Sequence, residues 1–193
     1  QKDNYGQDVP FLLQNFTSVN VNSDAGAGVG YTNMSVRGSD GTRINVTMNG
    51  IPLNDAESHG SFWVNLPDFL SSAESVTLQK GVGASTNGVA AFGANLNVQT
   101  NTLIAEPYAE INNGYGSFNT LKNTIKAGTG LLNNGLAVDL RLSSITSDGY
   151  IDRASSDLKS YFMSLGWYGK KSILKFNHFT GKEKTYQAWN GVP

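Results

Sequence analysis

His59 and His178 are the only imidazoles in the 193-residue chain, and cysteine is absent. Thiolate metal sites, disulfide staples and cysteine nucleophiles are therefore excluded. Asp55, Glu57 and His59 lie together in one loop. Two carboxylates and an imidazole so close could hold a cation, but a solvated polar loop explains them more simply. Asp148 and Asp152 share a second polar stretch and lack the regular acidic spacing of an EF-hand loop. GAGVG at 26–30 is neither G-x-G-x-x-G nor a P-loop, and no Lys-Ser or Lys-Thr follows it, so a flexible loop is expected there. His178 falls in an alternating segment and is expected to face a lumen or an interface. No catalytic set, metal site or cofactor site emerges, and the chain is not expected to be an enzyme.

The elements that position these residues should be strands and turns. Glycine numbers 22 and asparagine 21, which favours turns and polar strands over long helices. Net charge is −1, with 14 basic and 15 acidic residues spread along the chain. That leaves no basic patch for nucleic acid and no polybasic anchor for a lipid surface. No apolar run reaches the roughly 18 residues a membrane helix needs, but the short alternating strands of a membrane barrel escape that criterion. Gln1 follows no charged and apolar leader, as expected of a processed or separately begun chain.

Residues 36–100 organise the first half. Met34 and Val36, then Ile44, Val46 and Met48, alternate with polar neighbours, giving two half-buried strands around a loop of Gly, Ser and Asp. Asn49-Gly50 is a tight-turn dipeptide, and Pro52 is expected to block simple ladder pairing just after it. Val76 and Leu78 mark a strand over 73–80, and Leu96 and Val98 another over 96–99. Glycine and alanine crowd 88–94, too small for a core and suited to close backbone turns. Ahead of these, Val9, Pro10, Phe11, Leu12 and Leu13 predict one or two helical turns before a strand over 18–21.

Arg37-Gly38, Asn49-Gly50-Ile51-Pro52, Leu66-Pro67, Glu74 with Lys80-Gly81, and then Gly88, Ala91, Gly93, Asn97 and Thr100 follow in that order. The succession resembles the plug domain of TonB-dependent outer-membrane receptors, with a flavour similar to those of Bacteroidetes-type bacteria. No gap is needed from 81 to 100. Asn49 stands for the usual Asp, Thr77 for a second Glu, Val82 for Pro and Asn87 for Tyr. The resemblance implies that Arg37, Glu74 and Lys80 hold the plug together and against its wall. It also implies that loops 24–31, 39–42 and 54–61 point outward and touch substrate. Asp24, Tyr31, Ser39, Asp40, Asn54, Asp55, Glu57, His59, Phe62 and Trp63 are then the expected binding residues. Large rings beside hydrogen-bonding groups suit a bulky chelate, haem, cobalamin or glycan.

From 104 the pattern lengthens. Leu136, Val138, Leu140 and Leu142 alternate with Ala137, Asp139, Arg141 and Ser143. Tyr161, Met163, Leu165 and Trp167 repeat the theme, as do Leu174 and Phe176 against Lys175 and Asn177. In a barrel wall the leucines face lipid while Asp139 and Arg141 face a polar lumen; in a soluble sandwich the charges face solvent. Tyr108, Tyr115, Trp167 and Tyr168 sit near strand ends, where interfacial girdles belong. Five strands are expected, at about 105–116, 119–131, 135–147, 158–169 and 172–183.

Five strands cannot close, and an open edge in hydrocarbon leaves backbone groups unpaired; plugged transporters use about 22. The expected fold is therefore mostly β. A small α+β plug domain over 1–103 precedes, over 104–193, the N-terminal antiparallel strands of a large transmembrane β-barrel, so that the chain is a fragment. The expected function is energy-coupled import across the outer membrane of a Gram-negative cell, the plug gating the lumen. Its partners would be an inner-membrane TonB-type energy-transducing complex, outer-membrane lipid, a small-molecule or glycan substrate and a surface lipoprotein, with no nucleic acid. The alternative is a soluble all-β glycan-binding or adhesion module, which needs a second sheet over the outward leucines.

Overall fold

The computed structural model describes residues 4–24, 26, 28–82, 91–100 and 103–186. A one-turn helix, α1 (Val9–Leu12), carries Pro10 in its first turn, where the missing N–H leaves no bond unmade. Strands β1 (Val19–Ser23) and β2 (Thr32–Val36) form an antiparallel ribbon running from the Val19–Val36 pair to the Ser23–Thr32 pair. Strands β3 (Ile44–Met48), β4 (Ile51–Pro52), β5 (Ser75–Lys80) and β6 (Ala94–Gln99) make a mixed sheet in the order β4-β3-β6-β5, with β3 and β6 parallel.

Asn49 and Gly50 both take positive φ, 52° and 83°, the conformation of a type I′ hairpin turn. Pro52 does not block the ladder as expected: it pairs with Thr47, and Ile51 pairs with Met48. The sheet edge explains the difference, because an edge strand can leave a proline's missing N–H out of the ladder. One face of the mixed sheet packs Ile44, Val46, Leu96 and Val98 against α1, the ribbon, Trp63 and Phe69, and all of these are buried. The other face is polar. Its side chains bond sideways between strands, Asn45 to Asn95 at 3.3 Å and Thr47 to Asn97 at 3.0 Å. The glycine-rich stretch expected to turn tightly, with Gly83 and Gly88, lies largely outside the described residues. At its described end, a side chain added to Gly93 would lie 2.5 Å from Ser39 Cβ and 3.0 Å from the Arg43 carbonyl.

Strands β7 (Tyr108–Gly116), β8 (Thr120–Gly128), β9 (Leu136–Ser147), β10 (Ser156–Tyr168) and β11 (Ile173–Thr185) form an antiparallel meander with every neighbour paired in sequence order. Each expected wall strand is present, its ends shifted by three residues or fewer. Period-2 alternation gives the meander two faces. One packs on the plug and buries Thr124, Arg141, Leu158 and Phe162. The other leaves Leu140, Leu142, Leu165, Trp167, Phe176 and Leu174 between 40% and 69% exposed. Of the four strand-end aromatics, Tyr115 and Trp167 face outward. Tyr108 and Tyr168 turn in toward the plug, where the Tyr108 hydroxyl donates to Asp139 at 3.0 Å. His178 faces outward rather than into a lumen; it lies opposite Met163 and stacks on Tyr161 with ring centroids 5.5 Å apart. No helix among the described residues is long and apolar enough to cross a membrane, a criterion that does not bear on strands.

Candidate functional site

The ribbon β1–β2 stands over β3 and leaves a cleft of about 600 Å³ bordered by residues 58–63. Val21 and Met34 of the ribbon and Ile44 and Val46 of β3 line it, and Asn20, Asn22, Asn33, Asp40, Ser61 and Phe62 are among the residues around it. Of the expected binding residues, Asp40, Phe62 and Trp63 meet here. Phe62 is 48% exposed and offers a ring to the cleft, whereas Trp63 is 4% exposed and belongs to the core. Trp63 thus borders the cleft from the core side. Asp40 caps the single 3-10 turn Gly41–Arg43, accepting from the Thr42 amide at 3.0 Å and from Arg43 Nη1 at 2.9 Å. The Thr42 hydroxyl bond is the main reason its carboxyl sits below the usual range.

The other expected residues have local roles in the loops. Asn54 is fully engaged, donating to the Ile44 and His59 carbonyls at 2.9 and 2.8 Å and accepting the Val46 amide at 2.7 Å. Asp55 accepts the Ser58 amide at 2.7 Å, the Ser58 hydroxyl at 2.9 Å and the Glu57 amide at 3.1 Å, and the Ser58 amide does most to lower its pKa. This self-capped turn accounts for the Asp55, Glu57, His59 grouping without a cation. Glu57 and His59 are exposed. The Asp24 amide donates to the Tyr31 carbonyl at 3.1 Å and closes the ribbon's loop. Ser39 exchanges both backbone hydrogen bonds with Val36, each 2.9 Å.

A second constellation joins plug to wall, and its centre was not singled out in the sequence. Asp68 follows Leu66-Pro67 in the left-handed conformation at φ 51°, which Asp tolerates better than bulkier residues. That turn drives its carboxylate into the seam, where it is 1% exposed. Lys122 Nζ of β8 reaches Oδ1 at 3.0 Å, and Arg141 Nη1 of β9 reaches both Oδ2 and the Asp68 carbonyl at 3.0 Å. Ser71 and Ser143 donate their hydroxyls to the same carboxylate. Lys122 also donates to the Asn4 carbonyl at 2.9 Å, so one ammonium ties three parts of the chain. Phe69 packs on Phe179 of β11 beside this network, centroids 6.0 Å apart. Arg141 could be placed on the lumen face by alternation alone, but Asp68 lies 73 residues earlier and carries no local signal of the pairing.

Of the charges expected to brace the plug, Lys80 donates to the carbonyl and hydroxyl of Thr17, inside the plug. Arg37 lies beside Gly81 at positive φ, 51°. Glu74 borders a cavity of about 270 Å³ shared with Tyr108, Glu110, Lys126, Asp139 and Arg141 of the wall. Asp8, at the N-cap of α1, does not cap the helix; it accepts the Thr32 hydroxyl at 2.8 Å. Burial pushes its carboxyl up to about 7, opposed by bonds from Thr32 and the Gly30 backbone.

Residues 2–95 match the TonB-dependent receptor plug domain family. No curated protein matches the chain. Among solved structures, the copper transporter OprC superposes with a TM-score of 0.77 at 17% identity, over 95% of this chain and 29% of its own. The FrpB iron transporter from Neisseria meningitidis gives 0.73 at 16%, over 95% and 30%. The ferric citrate transporter FecA, unliganded, gives 0.72 at 16%, over 96% and 31%. The chain therefore spans about three-tenths of the length of these relatives, and at such identities the likeness is one of fold. Residues 2–95 are thus a TonB-dependent receptor plug domain, and the chain as a whole shares the plug-and-first-strands fold of TonB-dependent outer-membrane receptors.

Proposed function

We propose that the intact receptor imports a scarce, bulky nutrient across a Gram-negative outer membrane, with the plug gating the lumen. The observation that carries this reading is the two-faced wall: its inner face is pinned to the plug through Asp68, and its outer face is apolar and uncovered. The plug comprises 1–103 and the wall begins at 104, closing with about 22 strands as in other plugged transporters. An inner-membrane TonB-type complex pulls on a segment ahead of residue 1, and the plug rearranges to open a path.

Substrate arrives from outside at the cleft beneath the ribbon. Phe62 stacks on it and Asp40 bonds it, while Asp24, Tyr31, Ser39, Asn54, Asp55, Glu57 and His59 shape the surrounding loops and Trp63 supports the floor. Arg37, Glu74 and Lys80 brace the plug. A cleft of about 600 Å³ with amides, hydroxyls and a ring fits part of a siderophore, haem, cobalamin or glycan. A surface lipoprotein completes the enclosure from above, and no catalytic step is required.

The test uses the full-length receptor. Deleting the segment before residue 1 should abolish uptake while leaving substrate binding nearly intact; undiminished uptake refutes the coupling. The rival reading, a soluble glycan-binding or adhesion module, requires cover over the outward row. Leu174 at 69% and Phe176 at 55% exposure speak against it.

A further inference from the structure

We propose that Asp8 of the plug and Glu183 of β11 hold a calcium ion that fastens the plug to the wall. Ile145, Leu158 and Glu183 form one row across the inward face of β9, β10 and β11, through directly opposed pairs. The plug segment around Asp8 lies on this row. A side chain added to Gly6 would overlap Ile145, and Val29 packs with Ile145 and Leu158 in one buried cluster. The Asp8 amide donates to the Gly28 carbonyl at 2.8 Å, which holds its carboxyl beside that cluster. Glu183 faces the plug as its alternate neighbours do: Phe179 packs on Phe69, and Gly181 lies against Pro67. Among the described residues, Asp8 is the one charged group that acts on Glu183.

The two carboxyls are enclosed and short of donors. Asp8 is 3% exposed, and although its Oδ2 accepts the Thr32 hydroxyl, Oδ1 has no partner. Both carboxylate oxygens of Glu183 are enclosed without a partner. So is the hydroxyl of Ser160, which stands on the same face of β10 one inward pair further along. No cation of the described residues answers them. Lys182 and Lys184 flank Glu183 but alternate to the outward face, as does Lys159, while Lys122 and Arg141 are committed to Asp68. Two buried carboxylates without a counter-charge are costly.

The open oxygens select the ion. A water molecule has no room against them, whereas a bare metal cation is smaller than water. One dication cancels both carboxylate charges, and one monovalent ion would leave a negative charge buried. Mg²⁺ keeps several waters and demands an octahedron, whereas Ca²⁺ accepts an irregular shell of oxygens at about 2.3–2.6 Å. Protons would also neutralise the pair. With Asp8 Oδ2 turned to Thr32, however, they leave a glutamate oxygen unpaired. The site depends on the plug being seated in the wall and is independent of what the receptor imports.

The test uses the full-length receptor in detergent, stripped with EGTA and titrated calorimetrically with CaCl₂ or MgCl₂. The wild type should bind one more Ca²⁺ than the double variant Asp8→Asn with Glu183→Gln. Each single variant should weaken that binding on the order of a hundredfold, because each removes one of the two ligand charges on which affinity depends. Asp157→Asn, on the outward face of β10, should leave it unchanged. A second readout is the urea midpoint for protease access to the plug, which Ca²⁺ should raise in the wild type and not in the double variant. Equal Ca²⁺ stoichiometry and affinity in wild type and double variant overturns the site, as does Mg²⁺ binding as tight as that of Ca²⁺. Should the double variant fail to fold, the wild type still decides: a midpoint that Ca²⁺ leaves unmoved overturns the site.

Discussion

Asp68 holds the seam because a buried charge is stable only when paired and hydrogen-bonded. Two cations, two hydroxyls and a left-handed backbone converge on one carboxylate. Asp68→Ala would leave Lys122 and Arg141 on the wall without an anion, and should destabilise the plug–wall seam by about 3–5 kcal/mol. Urea denaturation of the refolded receptor, read through protease access to the plug, checks this; a midpoint equal to the wild type's would remove the ion group from the account. Asp8 poses the opposite case, a buried carboxyl with few donors. Its pKa rises from 3.8 to about 7 on folding, so the native state binds the proton more tightly than the unfolded one. That contribution is full below the unfolded value and is lost as pH rises through about 7, at on the order of 1.4 kcal/mol per unit inside the window. In calcium-free buffer, amide exchange around α1 and 28–32 should therefore be slower at pH 5 than at pH 8 once corrected for intrinsic rates, and Asp8→Asn should flatten the difference.

Two glycines of the mixed sheet separate backbone demand from space. Gly50 has a φ of 83° and nothing within 4 Å, so Gly50→Ala meets only the left-handed penalty, about 1 kcal/mol. Gly93 is limited by Ser39 and the Arg43 carbonyl instead, and Gly93→Ala should destabilise the plug by about 1–3 kcal/mol through overpacking. Adding Ser39→Gly should restore part of the loss at Gly93 and none at Gly50, a coupling that a double-mutant cycle on thermal unfolding measures. The strands themselves were legible because period-2 alternation is local. Pro52 was misjudged because its tolerance depends on β4 lying at an edge, and strand order is not local. The split between Phe62 and Trp63 is likewise not local: the neighbours have similar chemistry, and only the short 3-10 turn Trp63–Asn65 sends one outward and the other into the core.

At the scale of the molecule, the import reading sets the wall between lipid on one side and the plug on the other. Residues 104–186 made alone should aggregate in water and remain dispersed in detergent; a soluble monomer by light scattering would contradict a lipid-facing surface. The ordered motifs from Arg37 to Thr100 and the alternating wall strands were enough to indicate the plug, the wall and the two-sided character of each strand, because turn chemistry and hydrophobic period act over a few residues. The tertiary structure alone decided which charges meet and which rings are covered. Asp68 and Arg141, 73 positions apart, become partners only when the plug is seated. Asp8 and Glu183 are brought together by the same seating. Electrostatic pairing and burial depend on distance in space, which a linear pattern does not contain.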